Sequence, residues 1–277
     1  PGGETGRGRR DSVAATDSTE TGKRLVGAGG SRGRGQRANA PKDDAQGGFP
    51  LQRVEARNLP LSDYTIGDEV SLGSGGQMAK YRDNIAAIKL IKQLEAERRR
   101  ASPEEQRTLA RYVGWGGIPN AFKNSITGEV KDDWAKEVAE LESLLTPKEL
   151  RAASASTRNA HFTSKIVVDF MWRAAARLGF NGGLVLEPSV GSGNFIGLIP
   201  GHLREATHIT GIELDSLTAR IAGALYPRSN IVQSGFEKLP LPNDQFDLAI
   251  GNPPFGAEGL RFNYSPELNG SSIHNQF

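Results

Sequence analysis

The chain of 277 residues has no cysteine and only four histidines. Without cysteine it has no disulfide framework, no Cys-ligated zinc site and no thiol nucleophile, and four histidines argue against a multi-histidine metal site. It also lacks an apolar run of 18 or more residues, and its N-terminal residues lack the apolar core of a signal peptide. We therefore expect a soluble, cytoplasmic protein that holds no metal and enters no membrane.

Net charge is also small, because 34 basic residues face 32 acidic ones. The excess lies in residues 1–50, which contain 9 Lys/Arg, 6 Asp/Glu and 12 of the 34 glycines. A segment of this composition buries too little apolar surface to offset its chain entropy. We predict that residues 1–50 form a disordered Gly/Arg-rich arm. Such an arm is either a nucleic-acid tether or an inert linker.

The next hundred residues, 51–150, are predicted to form a helical leader. Apolar residues recur at helical spacing over residues 85–94. Two capping boxes begin at Ser102 and Thr146, and each combines a hydroxyl N-cap, a following proline and a glutamate three residues after the cap. Trp115, in a turn-rich connector, is interpreted as a core residue rather than a base-stacking platform.

The pattern changes in residues 151–277, where short apolar runs alternate with helical patterns. Such alternation is typical of β–α–β units and a parallel sheet. The predicted class is α/β, with a Rossmann-like, doubly wound, mostly parallel sheet that is incomplete at its C-terminal end. Strands are predicted at residues 184–186, 209–212, 231–232 and 246–250, with intervening helices at residues 195–204 and 216–225.

A glycine-rich turn follows the first predicted strand, in the segment Glu187-Pro-Ser-Val-Gly-Ser-Gly-Asn-Phe195. Gly191 and Gly193 permit a tight turn and the close approach of a ligand to the backbone. The turn is not a nicotinamide fingerprint, because Ile196 stands at the third glycine position, and no Lys-Ser/Thr pair makes it a P-loop. Ligands of parallel sheets bind beyond the carboxyl ends of the strands, so this turn is a candidate ligand site.

The second predicted strand ends in two acidic residues, Glu213 and Asp215, that are separated by one residue. Glu213 is placed to accept hydrogen bonds from both ribose hydroxyls of a nucleoside. The alternative for Glu213 is an ordinary surface charge at a strand end. Asp215 is expected to cap the following helix.

The fourth predicted strand ends in Asn252-Pro-Pro-Phe255. This loop is stiff, because each proline fixes its own φ and keeps the preceding residue extended. The side-chain oxygen of Asn252 and the carbonyl of Pro253 are therefore able to converge on one amino group. Phe255 presents a flat face on which the ring bearing that amine stacks.

Together these motifs resemble the S-adenosylmethionine-dependent amino methyltransferases, specifically the N6-adenine DNA methyltransferases with an Asn-Pro-Pro-Phe motif. The segment Asn159-Ala-His-Phe-Thr-Ser164 is similar to the first cofactor segment of that family in its γ arrangement. The resemblance covers residues 159–277. Through residues 84–97 and 112–122 the leader also resembles the N-terminal part of phage- and plasmid-borne methyltransferase–helicase fusions.

The resemblance implies S-adenosylmethionine as the cofactor, DNA as the partner and a helicase domain as a neighbour in a longer chain. The residues expected to contact the cofactor are His161, Phe162, Thr163, Glu187, Pro188, Gly191, Gly193, Asn194, Phe195, Glu213 and Phe236. The expected catalytic residues are Asn252, Pro253, Pro254 and Phe255, which would hold an adenine flipped out of the duplex. Hydrogen bonds to its amine would draw the lone pair out of ring conjugation and aim it at the methyl group.

The sequence departs from the family pattern at two places. Gly235 stands where family members often carry an acidic residue that contacts the cofactor's adenine, so Glu237 or Phe236 would have to replace it. The chain also ends at Phe277, soon after the catalytic motif, whereas the family continues with further strands and a target-recognition region. We therefore expect this chain to be truncated and, on its own, poorly soluble or inactive.

Two other functions remain open at this stage. A methyltransferase that modifies a glutamine amide of a protein, or the N2 amine of guanine in ribosomal RNA, uses the same loop geometry. A truncated fragment that binds cofactor or DNA weakly without catalysis belongs to a different class. The helical leader and the basic arm favour a nucleic-acid partner.

Overall fold

The computed structural model of the protein describes residues 62–68, 70, 72, 75–157, 163–254, 259–272 and 275–276. The predicted arm at residues 1–50 lies outside the described residues. The described residues belong to one compact unit. Its helices are α1 (Gln77–Ala96), α2 (Pro103–Leu109), α3 (Ala135–Leu144), α4 (Pro147–Ser156), α5 (Lys165–Arg177), α6 (Asn194–Gly197), α7 (Gly201–Arg204) and α8 (Ser216–Leu225), and its strands are β1 (Gly183–Glu187), β2 (Thr207–Glu213), β3 (Asn230–Gln233) and β4 (Leu248–Ala249).

The leader begins its helices as predicted. The hydroxyl of Ser102 accepts a hydrogen bond from the backbone N–H of Glu105, whose carboxylate accepts one from the backbone N–H of Ser102. Thr146 and Glu149 form the same reciprocal pair at the start of α4. Both predicted capping boxes are therefore confirmed, and each satisfies two backbone donors that a helix N-terminus otherwise leaves unpaired.

The connector after α2 is held by a side chain of α1. Asn84, fully buried, donates from Nδ2 to the carbonyl of Gly114 at 2.6 Å and accepts from the N–H of Val113 at 2.9 Å. Trp115, 1% exposed, stacks edge-on against Phe122 with ring centroids 5.1 Å apart. The interpretation of Trp115 as a core residue is confirmed.

The four strands form one parallel sheet with the order β3-β2-β1-β4. In the ladders Val185 lies beside both Ile209 and Leu248, so the middle of β1 is the centre of the sheet. The predicted α/β class with a Rossmann-like parallel sheet is confirmed. The order reverses at β1, because β2 and β3 extend to one side of it and β4 to the other. Such a reversal creates a crevice between the carboxyl ends of β1 and β4.

Two predicted elements differ from the structure. The helix predicted at residues 195–204 is wrong as one helix, because α6 and α7 are separate and Pro200 caps the second. Proline has no N–H for a helical bond and keeps the residue before it out of the helical region. The strand predicted at residues 246–250 is confined to Leu248–Ala249, although backbone bonds from Asp247 to Leu184 and from Ile250 to Leu186 flank it.

The leader packs on α8 through one buried cluster of apolar side chains that continues to the sheet. Polar bonds add to this contact, because Arg220 of α8 pairs with Glu95 of α1 and with Glu149 of α4, and Lys92 pairs with Glu149 as well. Burial alone would raise the pKa of Glu149, but bonds from Thr146 and the two cations hold it at about 2. Glu149 is therefore a satisfied, structural carboxylate.

We predict that Asn84→Ala destabilises the protein. The change leaves the buried N–H of Val113 and carbonyl of Gly114 without their partner, which costs roughly 2–4 kcal/mol in the free energy of unfolding. Urea unfolding followed by circular dichroism measures this loss. The matched control is Asn120→Ala, whose amide bonds the exposed side chain of Gln77, and it should change stability by less than about 0.5 kcal/mol. Equal effects of the two changes would contradict the role of Asn84.

Candidate active site

The candidate site is a cleft at the crevice between β1 and β4. Its volume is about 40 Å³. Six of the residues that line the cleft are site residues predicted from the sequence: Thr163, Glu187, Gly191, Asn194, Phe195 and Asn252. The other three lining residues, Ser189, Val190 and Ser192, were not predicted. The glycine-rich turn, the segment before α5 and the loop after β4 are thus brought to one place.

The glycine-rich turn has the backbone geometry for which only glycine is well suited. Gly191 and Gly193 have φ values of +55° and +84°, in the left-handed region. A Cβ at Gly193 would overlap the ring of the buried Tyr226. The N–H of Val190 donates to the carbonyl of Ile212 at 2.9 Å, which fastens the turn to the end of β2. The turn is therefore fixed by backbone bonds and packing.

Asn194 joins the turn to the segment that precedes α5. Its Nδ2 donates to the carbonyl of Thr163 at 3.0 Å, and its Oδ1 lies 3.3 Å from the hydroxyl of Ser192, which donates to it. Thr163 thus lies at the cleft, and its contact with a cofactor stays a prediction. His161 and Phe162, the other residues expected in this segment, lie outside the described residues.

Glu213 lies directly behind the turn and holds it. One carboxylate oxygen accepts from the N–H of Gly191 at 2.9 Å and the other from the N–H of Asp215 at 2.8 Å. Asp215 accepts from the N–H of Thr218 at 2.8 Å, so its predicted role as the cap of α8 is confirmed. Burial raises the pKa of Glu213 to about 7, although these backbone bonds oppose the rise.

Glu187, at the end of β1, is the most deeply buried acid of the cleft, with 2% of its surface exposed. Among the described residues, its Oε2 atom has no hydrogen-bond partner. Burial and the neighbouring Glu213 carboxylate raise the pKa of Glu187 well above its ordinary value. A buried carboxyl group with a free acceptor atom and a strongly perturbed pKa is a characteristic of functional sites.

The loop after β4 approaches the turn closely. A Cβ at Gly251 would lie 3.4 Å from Cδ of Pro188. The hydroxyl of Ser189 donates to the backbone carbonyl of Asn252 at 3.1 Å. Pro253 and Pro254 follow, both partly buried, whereas Phe255 lies outside the described residues.

The sequence offered one hint of the roles of Ser189 and Ser192, namely that hydroxyl side chains are interspersed with the glycines of the turn.

Phe236, expected to contact the cofactor, begins a short 3₁₀ helix after β3. Its ring packs edge-on against Phe262, with centroids 5.7 Å apart. It is not among the residues that line the cleft. A Cβ at Gly235 would overlap the carboxylate of Glu237, so the Glu237 side chain folds back beside Gly235.

The described part of the chain contains neither a membrane-spanning helix nor a cluster of metal ligands. None of its helices has an apolar stretch that would span a lipid bilayer. Within the same ranges, no group of three or more histidine, aspartate or glutamate side chains is arranged to hold a metal ion.

Comparison with known proteins gives limited matches, and no family model matches the chain. The "Defense against restriction protein B" of Escherichia phage P1 is 36% identical over 98 residues, which are 35% of this chain but only 4% of that protein. A chain from Listeria monocytogenes, described as a class I S-adenosylmethionine-dependent methyltransferase, is 16% identical, with a TM-score of 0.33 over 66% of this chain and 60% of that one. The methyltransferase subunit of a type I restriction-modification system from Streptococcus thermophilus is 13% identical, with a TM-score of 0.34 over 69% and 60% of the two chains.

We predict that the carboxyl group of Glu213 makes stability fall as the pH rises. Its pKa is about 7 in the folded protein against an ordinary value of 4.5, so between these values the folded state holds a proton that the unfolded state has lost. The free energy of unfolding therefore decreases with rising pH in this window, by up to about 1.4 kcal/mol per pH unit. Urea unfolding at pH 5.0 to 7.5 measures the slope, which should be shallower in Glu213→Gln.

The control for this slope is Glu205→Gln. Glu205 accepts two hydrogen bonds of 2.9 Å from Arg228, and these lower its pKa. Its carboxyl group therefore stays ionised over this pH range in both states, and the variant should keep the wild-type slope. A wild-type slope in Glu213→Gln would show that Glu213 does not carry the buried proton.

Proposed function

We propose that the chain is an S-adenosylmethionine-dependent methyltransferase that modifies the N6 amine of adenine in DNA. The observation that carries the proposal is the meeting, in one cleft, of a glycine-rich turn, a buried carboxyl group with a free acceptor atom and the Asn-Pro-Pro loop. The phage protein that shares 36% identity over 98 residues is named for defense against restriction. We extend that association with restriction to this chain as part of the proposal.

The residues of the cleft fit the cofactor chemically. The free Oε2 of Glu187 suits a cationic, hydrogen-bond-donating group such as the ammonium of the cofactor's methionine part. The carboxylate of Glu213 accepts bonds from the backbone N–H groups of Gly191, Leu214 and Asp215. Its two oxygens offer about four lone-pair sites, so one is left for a ribose hydroxyl. The turn at Gly191 and Gly193 permits a close approach of the ligand to the backbone.

When bound, S-adenosylmethionine supplies a methyl group on a sulfonium, whose sulfur keeps the bonding electron pair as the methyl carbon bonds to the amine nitrogen. The protein's part in the proposal is orientation. The side-chain oxygen of Asn252 and the carbonyl of Pro253 would each accept a hydrogen bond from the target amine, which keeps its lone pair available. The surplus proton of the methylated amine then leaves to solvent.

A first prediction concerns cofactor binding. At pH 8, where the Glu213 carboxyl group is ionised, Glu213→Ala should weaken the binding of S-adenosylmethionine by roughly 1.5–3 kcal/mol, because it removes hydrogen bonds to a charged acceptor. Isothermal titration calorimetry measures the affinity. The matched control is Asp215→Ala, which removes the neighbouring carboxylate and the cap of α8 and should cost stability but leave affinity unchanged. If both variants lost affinity equally, the assignment of Glu213 to the ribose would be wrong.

A second prediction concerns methyl transfer. With tritiated S-adenosylmethionine and duplex DNA, label should appear on adenine N6, and Asn252→Ala should reduce the rate by at least about 100-fold, the size of effect seen when an oriented polar group is lost from a catalytic site. Asn243→Ala, at an exposed position, is the control and should keep the wild-type rate. Label on a glutamine-containing protein or on ribosomal RNA instead would favour the alternative methyltransferases. Cofactor binding without transfer to any of these acceptors would favour the non-catalytic alternative.

A further inference from the structure

The backbone hydrogen bonds that pair β1 with β4 end just before the cleft. Two backbone bonds flank the ladder of β1 and β4, from the N–H of Asp247 to the carbonyl of Leu184 at 2.8 Å and from the N–H of Ile250 to the carbonyl of Leu186 at 3.0 Å. Beyond these bonds a proline follows each strand, Pro188 after β1 and Pro253 after β4. Proline has no N–H to donate, so the backbone ladder has no further donors at these two positions.

Beyond the end of the ladder, a side-chain hydrogen bond connects the two segments. The hydroxyl of Ser189, one residue beyond Pro188, donates to the carbonyl of Asn252 at 3.1 Å. This carbonyl belongs to the amide that joins Asn252 to Pro253. Because that amide is planar and the proline ring fixes the next φ, a bond to its oxygen restrains the orientation of both residues at once.

The geometry points to Ser189 as the positioning residue that orients the Asn252–Pro253 amide relative to the glycine-rich turn. The inference rests on the proposed function in one respect, namely that Asn252 and Pro253 are the groups that accept the target amine. Ser189 lines the cleft, but its hydroxyl is engaged by the carbonyl of Asn252. It acts through the carbonyl of Asn252, and it links the loop that would hold the target to the turn that would hold the cofactor.

The turn does not depend on Ser189 for its own shape. Its backbone is held by the bonds of Val190 to Ile212 and of Gly193 to Val190, both 2.9 Å, and by Glu213 at the N–H of Gly191. The loss of the Ser189 hydroxyl should therefore leave the cofactor site intact and release only the loop after β4. This separation predicts a loss of methyl transfer without a loss of cofactor affinity.

The kinetic test compares Ser189→Ala, Ser189→Thr and the wild-type chain. In Ser189→Ala the kcat for methyl transfer to duplex DNA should fall by about 10- to 100-fold, the effect of a small misplacement of a reacting group. The affinity for S-adenosylmethionine should stay within about two-fold of the wild-type value. Ser189→Thr keeps a hydroxyl at the same position and should restore kcat.

The control is Ser143→Ala. Ser143 also donates its hydroxyl to a backbone carbonyl, that of Glu140, but on the exposed surface of α3. This variant should keep the wild-type kcat and affinity. A wild-type kcat in Ser189→Ala, in a chain whose wild type transfers methyl groups, overturns the positioning role and leaves the proposed function standing.

A second measurement works even if the chain transfers no methyl group. The side-chain amide signals of Asn252 in a ¹⁵N–¹H spectrum, assigned by their disappearance in Asn252→Ala, report the orientation of this residue directly. They should move in Ser189→Ala, return in Ser189→Thr and stay unchanged in Ser143→Ala. If they do not move in Ser189→Ala, the inference is wrong, whereas a shift without methyl transfer supports the inference and counts against the proposed function.

Discussion

The meeting of Ser189 and Asn252, 63 residues apart in sequence, depends on the parallel pairing of β1 with β4. The ladder sets Val185 beside Leu248 and Leu186 beside Ala249, and this register places the two loops at the same height at the carboxyl edge of the sheet. A slip of the pairing would separate the glycine-rich turn from Asn252 and reverse the faces on which the strand side chains lie. The site is therefore a consequence of strand register rather than of either loop alone.

Three glutamates of this protein, two buried and one partly buried, show how partners decide whether a carboxyl group is structural or available. Glu149 has capping bonds and two cations around it, and its pKa is held at about 2 despite burial. Glu213 has only backbone N–H partners, and burial raises its pKa to about 7. Glu187 keeps one oxygen without a partner among the described residues, and burial together with the Glu213 carboxylate raises its pKa well above the ordinary value. The two carboxyl groups with fewer partners, Glu213 and Glu187, are the ones at or beside the cleft, where ligand groups would supply the missing partners.

Much of the site was predictable from sequence, because the carboxyl ends of parallel strands share one edge of a sheet. That rule is enough to expect the glycine-rich turn, Glu213 and Asn252 near one another. The capping boxes were also predictable, since they depend on four consecutive residues. The bond of Asn194 to Thr163 and that of Ser189 to Asn252 were not, because each depends on how distant segments are placed in space. The helix predicted over residues 195–204 is wrong as one helix because Pro200, which has no N–H to donate, separates α6 from α7.

The packing of the leader suggests how it contributes to the site. Gln106 of α2 donates to the carbonyl of Leu225 at 3.1 Å, at the end of α8, while Arg220 in the middle of α8 pairs with Glu95 and Glu149. The start of α8 is capped by Asp215, whose N–H is bonded by Glu213. The leader thus packs against the helix that begins three residues after Glu213, and Glu213 in turn holds the glycine-rich turn. A change in the leader that shifts α8 would therefore reach the cleft through this chain of bonds, without any leader residue lining it.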